Sequence, residues 1–351
     1  EEILTDGRPH VGSNLLPSIV KRMRNALEQQ GAQFFFDHRL VDLKVDGDAE
    51  SRKVSKIIVE NDGEKVEWET DSLFLATGHS ARDVYRMLAK HQVPMSQKSF
   101  QIGVRVEHPQ GAIDQMQYGE SAGHPQLPPA DYSLVSRRSE KDVFSFCMCP
   151  GGEILPSTEQ SGFMCVNGAS RYQRKSPWAN SGFVVTVDPD SFGNPDDPLA
   201  GIAFQEKIEK AAFDAAGGDF SAPALRLMDF LHRRLSTDLP ESSYPRKLTP
   251  ALFEEIFPAT ILDPIRVGLA DLAGRFREFG HRDAIITAPE SRSSSPVRID
   301  RHEESFQSEG LAGLYPLGEG AGFAGGILSA ALDGMRAAEI WMSKEQRVSQ
   351  A

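Results

Sequence analysis

The chain has 351 residues, 40% of them hydrophobic and 25% charged, with 38 basic against 50 acidic side chains and a formal net charge of −12. That length holds two domains and a sizeable core, while the acidic balance and the lack of a basic tract speak against nucleic acid or an anionic membrane as partner. No apolar run nears the roughly 20 residues of a membrane-spanning helix, and three cysteines, Cys147, Cys149 and Cys165, are too few for a disulfide framework, which points to a reducing compartment.

From the amino end, EEILTDGRPHVG (1–12) shows no signal or transit peptide. It reads as the interior of something longer, so a fragment or processed chain is expected. LLPSIVKRMRNALEQQ (15–30) sets Leu16, Ile19, Val20, Met23 and Leu27 on one helical face, with Ser13 or Asn14 as N-cap, His10 just ahead and Gly31 as the stop. AQFFFDHRLVDLKVD reads as a strand, and VSKIIVE with KVEWE as a hairpin about Asn61-Asp62-Gly63. DSLFLATGHS (71–80) is a short apolar strand ending at Thr77-Gly78.

From about residue 92, FQIGVRVEH, DYSLVSR, DVFSFCMC, MCVNGASRY and SGFVVTVDP are short strands broken by Pro and Gly, which predicts an antiparallel sheet. Helical stretches follow at 202–216, 224–236, 250–257 and 260–279. DAIITAPE and PVRID then flank the polar turn SRSSS, and the chain closes with a strand at 314–317, a glycine turn and a helix over 325–343.

Within DVFSFCMC, strand periodicity puts Cys147 and Cys149 on one face. Two thiols beside a redox cofactor could exchange electrons with it or act as nucleophiles; two small buried core residues are the commoner outcome. Arg105 alternates with Val104 and Val106, facing either solvent or a cleft. Arg292, Ser293, Ser294 and Arg298 surround a Pro-terminated turn that suits a cofactor edge or a substrate carboxylate, or is simply solvated. CxC with one further Cys and scattered His lacks ligand spacing, so no metal site is expected.

Gly320-Ala321-Gly322-Phe323-Ala324-Gly325 spells GxGxxG after a strand and at the start of a helix. The second strand, with an acidic residue about 20 positions on, is missing, so the reading as a first dinucleotide-binding βαβ fails. The helix start at Gly325-Gly326 still favours negative charge, and Glu319 could accept from ligand hydroxyls. The alternative is a glycine-rich connector that lets a helix pack closely on a sheet.

YPLGEGAGFAGGILSAALDGMRAA resembles the closing motif of a family of largely uncharacterised FAD-dependent dehydrogenases, within the flavoproteins that carry a glutathione-reductase-like nucleotide-binding domain. RPHVGSNLLPSIVKRMR, LATGHSARDVY, IGVRVEHPQ, FCMCPGG, PLAGIAFQ and SRSSSPVRI resemble further segments in the same order, so the likeness covers essentially the whole chain. It implies an α/β fold: a discontinuous, partial FAD/NAD(P)-binding (Rossmann-like) domain over 1–91 and 301–351, and an inserted α+β substrate or cap domain with the antiparallel sheet over 92–300. It also implies FAD, with Glu319 near the flavin ribityl, Gly320, Ala321, Gly322, Gly325 and Gly326 by the pyrophosphate and pyrimidine edge, and Thr77, Gly78 and Ser294 close to the cofactor. Cys147, Cys149 and Arg292 are the candidates for catalysis. The family's amino-terminal βαβ has no counterpart in these residues.

The implied reaction is flavin-mediated hydride transfer, with a small-molecule substrate, NAD(P)H or another electron donor as partner, and with neither nucleic acid nor membrane. A soluble setting in the cytoplasm or an organelle matrix, a plastid included, goes with it. The alternative is a truncated, inactive binding or structural module, with exposed apolar sheet edges and a dependence on a partner. An RNA-modifying flavoprotein is a third reading, disfavoured by the acidic charge.

Overall fold

The computed structural model describes residues 10–158 and 160–350. Residues 1–9, and with them Arg8-Pro9 of the segment ahead of the first helix, lie outside the described residues. The chain packs as two units. One holds the described residues up to Gln33 together with Gln101–Thr186 and Glu206–Ser291; the other holds Phe34–Phe100, Val187–Gln205 and the chain from Arg292 onward. The expected borders are 91/92 and 300/301; in the structure the described residues up to Gln33 group with the large sheet, while 92–100, Val187–Gln205 and 292–300 group with the other unit.

The elements begin with α1 (Leu16–Gln29), β1 (Arg39–Asp46), β2 (Lys53–Asn61), β3 (Glu64–Glu69), β4 (Leu73–Leu75), α2 (Arg82–Lys90), β5 (Met95–Gln97) and β6 (Phe100–Pro109). There follow α3 (Gln110–Tyr118), β7 (Val135–Ser136), β8 (Val143–Cys149), β9 (Gly152–Pro156), β10 (Val166–Ser170), β11 (Trp178–Val187) and α4 (Ala200–Ala215). The remainder are β12 (Ala222–Arg226), α5 (Leu227–Leu231), β13 (Leu248–Pro250), α6 (Ala259–Arg275), β14 (Ile285–Glu290), β15 (Val297–Ile299), β16 (Leu314–Pro316) and α7 (Ile327–Gln350).

The first unit is built on a seven-stranded sheet in the order β13-β12-β14-β6-β11-β8-β7. It is mixed: β13 runs parallel to β12, whereas β12 and β14, β14 and β6, and β11 and β8 pair antiparallel. The strands expected to be antiparallel pair so, β11 with β8 and β7 with β8, and the parallel pair comes from β12 and β13, outside that expectation. The structure corrects two expected helices. The stretch expected as helix over 224–236 begins as strand β12 and is helical only over Leu227–Leu231; that over 250–257 holds one short 3-10 turn, Phe253–Glu255. Ala222, Ala224 and Leu225 are buried, and a short, wholly buried apolar run has no periodicity to separate strand from helix. Ile102, Val104 and Val106 of β6, Phe183 and Val184 of β11 and Ile286 of β14 are fully buried at the sheet's centre. Helix α6 adds Ile261, Leu262, Ile265, Leu269 and Leu272 to the buried set. Helix α1 forms where expected but buries none of its residues, and Val20 and Met23 are each 62% exposed. Its N-cap is Leu15, because the Ser13 hydroxyl is committed to the Ser170 carbonyl (3.1 Å) and Asn14 Oδ1 accepts from the Tyr172 N–H (2.8 Å).

The second unit holds the antiparallel meander β1-β2-β3, the parallel pair β16-β4 and the antiparallel pair β15-β5. The hairpin turns on Asp62 (φ 48°) and Gly63 (φ 83°), the two left-handed residues a two-residue hairpin loop requires. Strand β1 starts only at Arg39, and Phe34, Phe35 and Phe36 are exposed ahead of it. In the parallel pair, Leu73 sits beside Leu314, Phe74 beside Tyr315 and Leu75 beside Pro316. The Phe74 and Tyr315 rings stack at 4.7 Å, and Trp341 of α7 meets Phe74 edge-on at 6.0 Å while its Nε1 donates to the Ser72 hydroxyl (3.1 Å). Those contacts seat α7 across the two strands. Behind them, Leu43, Val54, Leu75, Tyr85, Leu88, Val297, Ile299 and Leu314 form one core. Among the described residues no helix is long and apolar enough to cross a membrane.

Candidate cofactor site

Strands β4 and β16 run parallel, so both chains leave at the same end, and the Leu317 N–H still donates to the Leu75 carbonyl (2.9 Å) as they go. Beyond that point Gly320 lies directly on Gly78. A Cβ at residue 320 would stand 2.8 Å from the carbonyl carbon and oxygen of Gly78, so only glycine lets the two backbones touch. Gly322 is held similarly, with φ +83° and the Val297 carbonyl 2.8 Å from the position of a Cβ. These two glycines serve packing. Gly325 and Gly326 do not: nothing lies within 4 Å of a Cβ at Gly325, and only the Ser329 hydroxyl, at 4.0 Å, approaches one at Gly326. A cavity of about 370 Å3 opens here, lined by Gly78, Leu317, Glu319, Gly326, Ile327 and Ala330 among others.

The corner is tied to its helix by a buried ion pair. Arg301 donates to both Asp333 oxygens (3.0 and 2.6 Å) and to the Pro316 carbonyl (2.7 Å), while Asp333 Oδ2 also accepts from the Gly318 N–H (2.7 Å). The guanidinium lies over the Phe306 and Phe323 rings, 4.1 and 3.7 Å from their centroids. Burial works against the Asp333 charge, but the Arg301 hydrogen bonds and the Gly318 N–H hold its carboxyl below the ordinary range.

Polar side chains from several segments line up at the same corner. His79 follows Gly78 and donates through Nε2 to the Arg292 carbonyl (3.0 Å), which leaves Nδ1 facing Glu319 Oε1 at 3.4 Å. That second contact is favourable only with a proton between nitrogen and carboxylate. Arg292 Nη1 donates to the Ser80 hydroxyl (3.3 Å). The Tyr85 hydroxyl donates to the Gly320 carbonyl (2.6 Å) and meets the Ser295 hydroxyl at 3.1 Å, and the Ser295 hydroxyl donates to the Val297 carbonyl (2.7 Å). Burial raises the Tyr85 phenol to about 12, the Ser295 contact opposing and the Glu319 charge adding to it. Burial, and then the Arg298 charge, lower the Lys98 ammonium from its ordinary value, with Glu319 pulling the other way.

The structure thus brings Glu319, Gly320, Gly326 and Gly78 to one corner. Thr77 is exposed beside it, Ala321 is core at 1% exposure, and Arg292 reaches the corner through His79 and Ser80. The SRSSS segment is no solvated turn: Ser291, Ser293, Ser294 and Ser295 are all buried. His79, Tyr85 and Lys98 were not singled out from sequence. His79 had a usable signal, being the residue after the strand-ending Gly78. Tyr85 sits on α2 at ordinary helical spacing, and Lys98 on a loop, with nothing local to mark either.

The cysteine candidates lie elsewhere, on β8 of the large sheet. The expected alternation breaks there. Asn180 of β11 pairs with Cys149 and Gly182 with Phe146, so Cys147 and Met148 together oppose the single residue Ser181, a β-bulge. Cys147 has φ +49° and is exposed, whereas Cys149 is buried. Beneath them Arg105, expected at a surface or cleft, is fully buried. It clamps Glu290 with two hydrogen bonds (2.8 and 3.0 Å) and donates to Asn180 Oδ1 (2.7 Å), Asn167 Oδ1 (3.3 Å) and the Cys147 carbonyl (3.4 Å).

Residues 99–293 match the family described as FAD-dependent protein, C-terminal domain-like, and the chain belongs to that family. It is also 40% identical over 348 residues to an "Uncharacterized protein" of Clostridium beijerinckii, an overlap of 98% of this chain and 63% of that protein. The chain therefore spans somewhat under two thirds of that relative's length.

Proposed function

We propose that this member of the family is an FAD-dependent oxidoreductase whose Phe34–Phe100 and Arg292-onward segments hold part of the cofactor at the corner where β4 and β16 end. The observation that carries the reading is the contact of Gly320 with Gly78. It sets the glycine start of a 24-residue helix beside a cavity of about 370 Å3, at the carboxyl ends of parallel strands. Ligands of open α/β sheets bind outside those ends, and a helix start suits a phosphate. The residues fit the flavin and pyrophosphate portion of FAD. Gly325 and Gly326 leave open space before the first turn of α7, and Glu319 offers an acceptor for hydroxyls. Thr77 and Gly78 would form the backbone wall, with Gly320, Ala321 and Gly322 packed behind it and Ser294 and Arg292 toward the ring edge. A partial, Rossmann-like dinucleotide-binding domain is the fold that goes with this assignment.

Bound FAD would supply two-electron hydride exchange with a small-molecule substrate or NAD(P)H. The protein's own part is orientation and charge. The Tyr85, Ser295 and Val297 chain fixes the Gly320 carbonyl, and Lys98 and Arg298 offset Glu319. His79 Nδ1, 3.4 Å from Glu319 Oε1, sets a polar pair at the rim of the site. The test is a flavin-fluorescence titration of the chain with FAD. Saturable quenching is expected, weakened at least about tenfold by Glu319→Ala, the loss of a charge-assisted hydrogen bond. No quenching, or a variant that binds as wild type does, overturns the assignment.

A second reading, a binding or structural module, draws support from apolar helix faces left open. On α7, Ile327 is 71% and Leu328 79% exposed, and on α1 Val20 and Met23 are each 62% exposed. Sedimentation of a monodisperse monomer would count against it.

A further inference from the structure

The large sheet carries a second chemically poised group, and it stands whether or not the glycine corner binds FAD. We propose that Cys147 and Cys149 are a thiol–disulfide couple that reacts with small uncharged disulfides, Cys147 attacking and Cys149 resolving. Three observations carry this. Cys147 is exposed at a bulge in left-handed backbone, a conformation disfavoured for a non-glycine residue and one that an inert core thiol has no need of. The strained residue is held from below, since Arg105 and the Cys149 thiol both donate to the Cys147 carbonyl, each at 3.4 Å. Cys149 itself is only 5% exposed and its thiol is turned onto the Cys147 backbone, so the sulfur it can meet from its buried position is that of Cys147.

The electrostatics agree with the division of labour. The neighbouring Cys149 side chain lowers the Cys147 thiol to about 6; burial opposes this, the Arg105 charge assists it, and Glu290 works against it. The Cys147 side chain and burial raise Cys149, which therefore keeps its proton. Arg105 is already matched by Glu290 and two asparagine oxygens, so no free cation is on offer to a charged reagent, which is why the substrate class is uncharged.

The steps balance. The Cys147 thiolate attacks one sulfur of R–S–S–R, forming a Cys147–S–S–R mixed disulfide and releasing RS−. Cys149 then attacks the Cys147 sulfur, forming the Cys147–Cys149 disulfide and releasing a second thiolate, which takes up the Cys149 proton. The small disulfide is reduced by two electrons and the protein dithiol oxidised by two.

Hydroxyethyl disulfide is the probe, read by intact mass and peptide mapping. Wild type is expected to lose the mass of two hydrogens at the Cys147/Cys149 peptide without holding an adduct. Cys149→Ser is expected to accumulate one hydroxyethylthio group on Cys147, and Cys147→Ser to react at neither position. Alkylation of wild-type Cys147 by iodoacetamide should outpace an ordinary thiol about twofold at pH 7 and about tenfold at pH 6, the thiolate gain being partly cancelled by lower nucleophilicity. A stable adduct on wild type with no ring closure, or a Cys147 alkylation profile matching that of the urea-unfolded chain, overturns the proposal; the wild-type readouts need no variant to fold.

Discussion

Replacing Asp333 isolates what the buried ion pair does for the glycine corner. The Arg301 side chain is 5% exposed and that of Asp333 11%. In Asp333→Ala the guanidinium keeps the Pro316 carbonyl and two aromatic faces but loses its counter-ion, and the Gly318 N–H loses its acceptor. Removing one member of a buried pair costs about 3–5 kcal/mol. With a urea slope of about 2 kcal/mol/M, the midpoint should fall by about 1.5–2.5 M. Asp333→Asn keeps the shape and one acceptor, so it should lose about 2 kcal/mol, the worth of a hydrogen bond to a charged group. The double change Arg301→Met/Asp333→Leu should recover most of the loss, because no charge is then left stranded. Urea melts followed by tryptophan fluorescence suit the purpose, since Trp341 packs on Phe74 of β4. The sign with pH is fixed by the lowered carboxyl. Its stabilisation is complete above the ordinary carboxylate range and fades as the pH falls through the folded value, so wild type and Asp333→Asn should converge in acid. A loss under about 1 kcal/mol in Asp333→Ala would refute the assignment of the pair as the corner's anchor.

The glycines of the corner should separate by role. Gly320→Ala, forced onto Gly78, should destabilise by about 1–3 kcal/mol, whereas Gly326→Leu, with open space around it, should melt within about 0.5 kcal/mol of wild type and weaken FAD binding; paired melts and flavin titrations check both. Asp42, held at about 2 by Lys90 and His91 against the effect of burial, should contribute stability at neutral pH that drains away as the pH falls from the ordinary carboxylate range toward 2. An acid titration should find that limb flattened in Asp42→Asn. Phe183→Ala, at the fully buried centre of β11 and edge-on to Phe279 at 5.4 Å, should cost about 3–5 kcal/mol by calorimetry.

Legibility from sequence followed the range of the interaction. The Asn61–Gly63 hairpin and the terminal strand, turn and helix were readable because their signals are local: two left-handed positions in one case, glycines before an apolar helix in the other. The alternating pattern of β6 gave the strand but not the environment of Arg105, whose partner Glu290 lies on β14, far along the chain. Strand β12 was read as helix because neighbours on both sides bury it and leave no alternation. The Cys147 bulge was invisible because it is set by register with β11. At the corner, Glu319 and the glycines announce themselves, whereas Tyr85 and Lys98 matter only through where α2 and the β5 loop come to rest.

The pairing of Leu73 with Leu314 also dictates when the corner can exist. A ribosome must deliver everything between Leu75 and Leu314 before β4 finds its parallel mate, so the nascent chain carries Leu73–Leu75 unpaired until then. Contacts of such sequence separation form late and slowly. Early structure is therefore expected at local hairpins such as that of β2 and β3, with the glycine corner joining later.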